Sequence, residues 1–385
     1  MKPSLLISFV MAGVLFTAPP VLAAIDADAP VVKVRAKKSN GSSGCVENGV
    51  TLNNCFATPG AAVNWIVTTR MPTATAPLLV EIGPGSYGGF EMECDTTWGG
   101  HTTFRGAGMD HTILYSAGFG TITLNSCTNL NFSDLTIKNT VYGGIKWNGG
   151  GESTWTNIRV QSAGQGWYSD YCGQARGSHY WFGSRITNLA LVGFNGRANA
   201  YLERCDESWF FGSEIATTVQ ADAFPATGGV VNATGQGIIH VYGSVLRALI
   251  DGPTVAPGVV AAMVGGLETG GEIHIHGTGI DITSNIGANV VALSASNGGI
   301  IHADVSAYNL NTSGTITRIV KDANPATHVH APYQWQHIPN SPLASVTGAD
   351  TTTETVGTDI NMLVYNSQCT GSGGPWYNIA LRSCR

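Results

Sequence analysis

The sequence predicts an all-β protein, a single-stranded right-handed parallel β-helix of about nine or ten coils. Three observations predict it. Pairs of short alternating strands, joined by one Asp, Asn or Gly, return roughly every 20–35 residues through the middle of the chain. Only 11% of the 385 residues are charged, against a usual ~25%. Fifty are glycine, without a G-X-Y period, so tight turns are favoured and collagen is excluded. A hydrophobic share of 43% excludes disorder and allows a sizeable core. The net charge of −6 offers no basic surface for nucleic acid.

The chain opens with Lys2, an apolar run from Leu5 to Phe16, and small residues at Ala23-Ala24. That pattern marks residues 1–24 as a secretory signal. The run is too short for a membrane span, which needs ~20 apolar residues, and Pro19-Pro20 interrupts it. A secreted, extracellular or periplasmic protein is expected, with no membrane partner once the signal is cut. Eight cysteines fit an oxidising compartment. Sequence proximity suggests Cys45–Cys55, Cys94–Cys127, Cys172–Cys205 and Cys369–Cys384, among 105 possible connectivities.

Residues 25–55 read as a polar lead holding the Cys45–Cys55 loop. Ala61, Ala62, Trp65 and Ile66 then recur near helical spacing, predicting a helix that caps a sheet. Leu78 to Ile82 reads as a strand. The repeats follow: Asn129–Ile137, Glu152–Val160, Ser178–Ile186, Glu207–Ile215, Ile238–Leu246, Glu272–Ile280 and Ile300–Tyr308, with a fainter one beginning at Ala326. No single rung can bury its apolar face, so stacked rungs must share a core. A propeller would need four antiparallel strands per blade, and its hairpin turns are missing. The β-helix is therefore expected over 56–335. Residues 336–385, where the repeat fades, are expected to protect the last open rung as a disulfide-closed tail.

The segments Val80-Glu-Ile-Gly-Pro-Gly-Ser-Tyr87 and Phe104-Arg-Gly-Ala-Gly-Met-Asp-His-Thr-Ile-Leu114 follow the helical segment Phe56–Ile66. Together they resemble the opening of the pectin-lyase-like superfamily, and pectin methylesterases most. Asn129 to Ile137 resembles the second strand, asparagine turn and third strand of a pectate-lyase coil. The resemblance covers residues 56–137 well and 138–331 as a repeat pattern. It implies the fold and, less specifically, an acidic polysaccharide such as pectin as partner. The methylesterase segments Gln-Asp-Thr, Asp-Phe-Ile-Phe-Gly and Gly-Arg-Pro-Trp are absent, and Trp209-Phe210-Phe211-Gly212 lacks the aspartate of the second. No catalytic residue carries over.

In that superfamily the substrate groove usually lies on the first strand of each coil, roofed by the loops entering it. Here those strands are expected at 122–124, 145–147, 167–171, 199–203, 230–233, 260–263 and 290–293. Long loops enter the middle ones, as functional loops often do. Outward candidates are Lys146, Tyr168, Asp170, Tyr201 and Glu203, with Arg197 and Asp222 in the flanking loops. Adjacent strands lie ~4.8 Å apart, so Asp170 and Glu203 would approach closely on neighbouring rungs. Two such carboxylates repel, leaving an acid beside a base. Alternatively they would hold Ca²⁺ while Lys146 or Arg197 draws a proton from beside a uronate carboxyl. A solvated surface with chance charges is the bland alternative.

The second strands carry six of the ten histidines. The repeat alignment puts His240, His274, His302 and His328 in one outward column, with Tyr180 and Trp209 ahead of them. Tyr242, His276, Asp304 and His330 fill the next, with Phe182 and Phe211 ahead. Three readings stand: a structural ladder of stacked rings, a Zn²⁺ or Cu²⁺ site on imidazoles and Asp304, or an aromatic strip for a flat sugar face. A third column, Arg159, Arg185 and Glu214, reads as salt bridging between rungs.

The function expected is an exported carbohydrate-active enzyme on a uronic-acid polysaccharide, by lyase or esterase chemistry. Lys146, Asp170, Tyr201 and Glu203 would be catalytic, and Tyr168, Arg197, Asp222, Tyr180 and Trp209 would bind substrate. The alternative is a non-catalytic surface β-helix binding glycan or metal through the histidine ladder. A monomer is expected.

Overall fold

The computed structural model describes residues 31–36, 44–94, 100–118, 120–149, 151–170, 177–190, 200–203, 206–219, 229–250, 259–264, 269–285, 290–312, 316–322, 324–330, 333–334, 363–365, 376–378 and 383–384. Strands dominate them, and nearly all pair in parallel. One sheet has nine strands and another seventeen. Successive strands of the smaller sheet are Phe90–Glu93, Gly120–Asn125, Gly143–Asn148, Trp167–Asp170, Ala200–Glu203, Gly229–Thr234, Val259–Val264, Val290–Ala295 and Ile316–Lys321. Between each and the next, the chain crosses to the long sheet and back. Repeats therefore pair with the repeats before and after them, as coils of one winding do.

Alternation builds the interior. Along the long sheet Phe104, Phe132, Trp155, Trp181 and Phe210 are register partners, all buried. Their rings stack with centroids 5.0, 4.2, 5.0 and 5.8 Å apart and no more than 20° between planes. Such pairs stabilise beyond area burial alone.

The predicted kinks are left-handed residues. Asp134, Asn157, Gly183, Gly212, Gly243 and Gly277 all have φ between 53° and 58°, a region open to Gly and tolerated by Asx. Asn157 Nδ2 donates to Asp134 Oδ1 at 2.6 Å, so the Asx residues of two successive kinks bond each other. After each glycine kink stands a hydroxyl. The amides of Ile158, Ser184, Ser213 and Ser244 donate to the side-chain oxygens of Ser184, Ser213, Ser244 and Thr278, one coil on, at 3.0–3.4 Å. Each hydroxyl in turn donates to the carbonyl two residues before it. Backbone groups that the bend would orphan are satisfied in this way. At the next repeat Val305 replaces the glycine, and the pairing of Glu272–Ser284 with Ile300–Asn311 shifts register there. A β-branched residue cannot adopt the left-handed turn without strain, so the strand bulges.

The helix spans Pro59–Trp65, capped by Thr58 Oγ1 on the Ala61 amide, and buries Ala62 and Val63. Among the strands not expected from the sequence, Val31–Val34, inside the polar lead, pairs in parallel with Leu78–Ile82 and buries Val32 and Val34. Disulfides join Cys45 to Cys55 and Cys94 to Cys127. The other two expected pairs include residues outside those described. Near the C-terminus Tyr333–Gln334, Leu363–Tyr365, Trp376–Asn378 and Ser383–Cys384 form a small sheet. Among the described residues, no helix is long and apolar enough to cross a membrane.

Candidate functional site

Two outward surfaces carry the residues singled out from sequence. On the nine-stranded sheet, strand pairing puts Glu91, Thr123, Lys146, Tyr168, Tyr201, Asn232 and Met263 in one row. The next row, two residues on, runs Glu93, Asn125, Asn148, Asp170, Glu203 and Thr234. Residues 167 and 169 between these rows are buried, which fixes the alternation.

Lys146 Nζ lies 5.9 Å from the centre of the Tyr168 ring, within cation–π range. Asn148 Nδ2 donates to Asn125 Oδ1 at 2.6 Å, and Asn125 Nδ2 to Glu91 Oε1 at 2.8 Å. The asparagine row thus continues into positions 170 and 203, which are direct partners on adjacent strands. Beyond them, Asn232 and Thr234 are buried, and neither Asn232 Oδ1 nor Thr234 Oγ1 has a hydrogen-bond partner among the described residues. Groups left this way are costly, and the sequence reading passed over both. Arg197 and Asp222 lie outside the described residues.

Tyr180 and Trp209 are not on this sheet. They belong to the long sheet, where Tyr180, Trp209, His240, His274 and His302 are successive partners. Phe182, Phe211, Tyr242, His276 and Asp304 form the parallel column. Within a rung the rings lie side by side, as in Trp209–Phe211 and His240–Tyr242 at 6.2 and 6.3 Å and 13° and 8°. Between rungs they stack, Trp209 on His240 at 3.6 Å, His240 on His274 at 4.6 Å and His274 on His302 at 4.8 Å. The ring faces are therefore spent on one another and only edges point outward. Along the middle of this column a flat sugar face would meet ring edges rather than ring faces.

The column departs from the repeat alignment at its end. Ile300 pairs with His328, and His302 with His330, so His328 falls out of the column by two residues. His-Val-His reads the same after a two-residue slip, which keeps the inward and outward faces, so alternation could not fix the register. His240 is 8% exposed, and its Nε2 lies 2.8 Å from Glu207 Oε1. Burial first, then repulsion from His240 and His302 against the pull of Glu272, sets the His274 pKa below the usual imidazole value. Burial lowers that of His276 and raises those of Tyr180 and Tyr242.

The expected metal set is not what the structure brings together. Glu272, which the sequence reading left out, joins His274 and His302, with one ligand atom from each all within 4.8 Å of the others. No group of three among the described residues includes His240, His276, Asp304 or His328.

A third cluster lies inside the coil. Ser153 Oγ is 2.8 Å from His179 Nδ1 and accepts from Trp155 Nε1 at 2.7 Å. Asp206 Oδ2 accepts from Ser169 and lies 3.6 Å from His179 Nε2, beyond hydrogen-bond distance, while the Gly177 amide donates to Oδ1 at 3.0 Å. Ser153, His179 and Asp206 have the residue types of a hydrolytic triad, but His179 Nε2 has no hydrogen-bond partner among the described residues and all three are at most 2% exposed. With the nucleophile's position closed and its oxygen already engaged by an indole, the cluster ties coils together. Its signal was legible: once Tyr180 and Phe182 face outward, His179 must face in.

Between rungs, Arg185 Nε meets Glu214 Oε2 at 2.6 Å, and Arg247 bridges Glu214 and Asp281 at 2.6 and 2.8 Å. Arg159 pairs instead with Asp110.

The chain matches no family model and no curated protein. Its fold resembles that of pectin methylesterase from carrot, at 12% identity and a TM-score of 0.35, over 75% of this chain and 86% of that one.

Proposed function

We propose that this is an exported carbohydrate-active protein that acts on a uronic-acid polysaccharide, such as pectin, by lyase or esterase chemistry at the nine-stranded sheet. One observation carries the reading: positions 170 and 203 are direct partners on adjacent strands, one row from Lys146, Tyr168 and Tyr201. At a strand spacing of ~4.8 Å, Asp170 and Glu203 suit an acid–base pair or a Ca²⁺ site. In this reading Lys146 stabilises negative charge developing on the uronate, and Tyr201 is an auxiliary proton donor. Tyr168, Arg197 and Asp222 contact the polymer. The two disulfides fit the oxidising compartment that the signal at 1–24 implies.

The same reading takes the winding as right-handed, as nearly all parallel crossovers are. It has about nine or ten coils, with the helix at one end and residues 336–385 closing the other. The protein acts as a monomer.

The test is a product assay on pectins of different methylation and on alginate, with Ca²⁺ and with EDTA, read by mass spectrometry. Unsaturated products mark a lyase, and lost methyl or acetyl groups an esterase. Asp170→Asn and Glu203→Gln are expected to cut turnover by about a hundredfold or more while the fold persists. Folded protein that alters none of these polymers would overturn the reading.

A further inference from the structure

We propose that Glu272, His274 and His302 form a binding site for a divalent late-transition ion, Zn²⁺ or Cu²⁺, on the outer face of the long sheet. This inference stands apart from the polysaccharide reading and shares no residue with it. Glu272 and His274 are two apart on one strand and so share a face. His302 is the register partner of His274 on the next strand. The winding itself therefore delivers three donors to one spot from residues 30 positions apart in sequence at the extremes.

The local geometry already converges. Glu272 Oε1 lies 2.9 Å from His274 Nε2 and 3.4 Å from His302 Nε2. Both imidazoles thus turn the same ring nitrogen toward one carboxylate oxygen, and the three atoms lie within 4.8 Å of one another. Two imidazole nitrogens and one carboxylate oxygen are a donor set that Zn²⁺ and Cu²⁺ accept. The side chains are 24%, 31% and 39% exposed for His274, Glu272 and His302, so an ion can enter and keep solvent in its remaining positions.

Binding requires one adjustment. Metal–nitrogen bonds of about 2.0–2.1 Å lie in the plane of each ring. The His274 and His302 rings are stacked at 4.8 Å and 9°, so their Nε2 ends must tilt together. That loosens the His274–His302 stack and, to the extent that His274 moves, its stack on His240. His240 is not part of the site, because it is nearly buried and its Nε2 is engaged by Glu207.

The full-length protein, stripped with EDTA, would be titrated with CuCl₂ and with ZnCl₂ by calorimetry, and the copper form examined by EPR. One ion per chain is expected, with the superhyperfine splitting of two imidazole nitrogens. Glu272→Gln, His274→Ala and His302→Ala should each weaken binding by about tenfold or more. His276→Ala, in the neighbouring column, should leave affinity within about twofold of wild type. The nitrogen splitting is read on the unmutated protein, so the proposal remains testable if an alanine variant fails to fold. No saturable binding by folded protein would overturn it. So would a copper signal without imidazole nitrogens, or affinity indifferent to Glu272→Gln and to both histidine variants.

Discussion

Along the long sheet, outward positions meet their own kind from coil to coil: Tyr180 on Trp209, Phe182 on Phe211, His240 on His274 and His274 on His302. Along the nine-stranded sheet the corresponding row runs Glu91, Thr123, Lys146, Tyr168, Tyr201, Asn232 and Met263, with a different chemistry at almost every step. Both surfaces use the same strand spacing and the same alternation. The difference separates a surface whose residues pack on one another from one whose residues change from coil to coil. Like residues in a column satisfy one another through stacking, which any coil can extend. Residues of the nine-stranded sheet meet instead in separate local contacts, Lys146 over Tyr168 and Asn148 through Asn125 to Glu91, and Asn232 Oδ1 is buried without a hydrogen-bond partner among the described residues.

That contrast can be broken most directly at Trp209. Its ring lies between Tyr180 and His240 and beside Phe211 and Tyr242. Trp209→Ala is expected to cost about 2–3 kcal/mol in denaturant unfolding, without changing the products made from any polymer. A loss of activity at unchanged stability would put the column among the ligand-binding surfaces.

A smaller effect sharpens the role of the kinks. Gly212 has φ of 54°, and a Cβ there would meet nothing within 4 Å, so any penalty is in the backbone alone. Gly212→Val should destabilise by about 1–3 kcal/mol. Gly212→Asn should cost less than about 1 kcal/mol, because Asp134 and Asn157 hold the same turn elsewhere. Equal midpoints for the two variants would contradict this account.

The least effect belongs to the charged column. Arg247 bridges two carboxylates, yet its side chain is 45% exposed. Arg247→Ala should shift stability by about 1 kcal/mol or less, and the shift should shrink further in high salt.

Much of the fold was legible because its signals are local. Two-residue alternation separates Trp181 from Tyr180 and Phe182, and the recurring Gly-Ser of 183–184, 212–213 and 243–244 marks the bend. Register was less legible. His328 and His330 fit the column equally well under a two-residue slip, and only the pairing of Ile300 with His328 decides between them. Val31–Val34 escaped notice because four residues among polar neighbours give too short a pattern. Glu272 was overlooked as a ligand because it belongs to a different column of the repeat. It joins the histidines by standing two residues before His274, a relation that reading down columns does not reveal.

The valine at 305 has a consequence for how the molecule opens. From Ser184 to Thr278 each hydroxyl receives the amide of the coil before it, and the strand pairing shifts register at Thr278 and Val305. A linear array of units coupled only to their neighbours comes apart where that coupling is weakest. Amides at the shift itself, near Thr278 and Val305, are therefore expected to exchange faster than those of the tryptophan-centred coils. His274 and His302 pair across the same two strands, so an ion joining them would hold those strands against that opening.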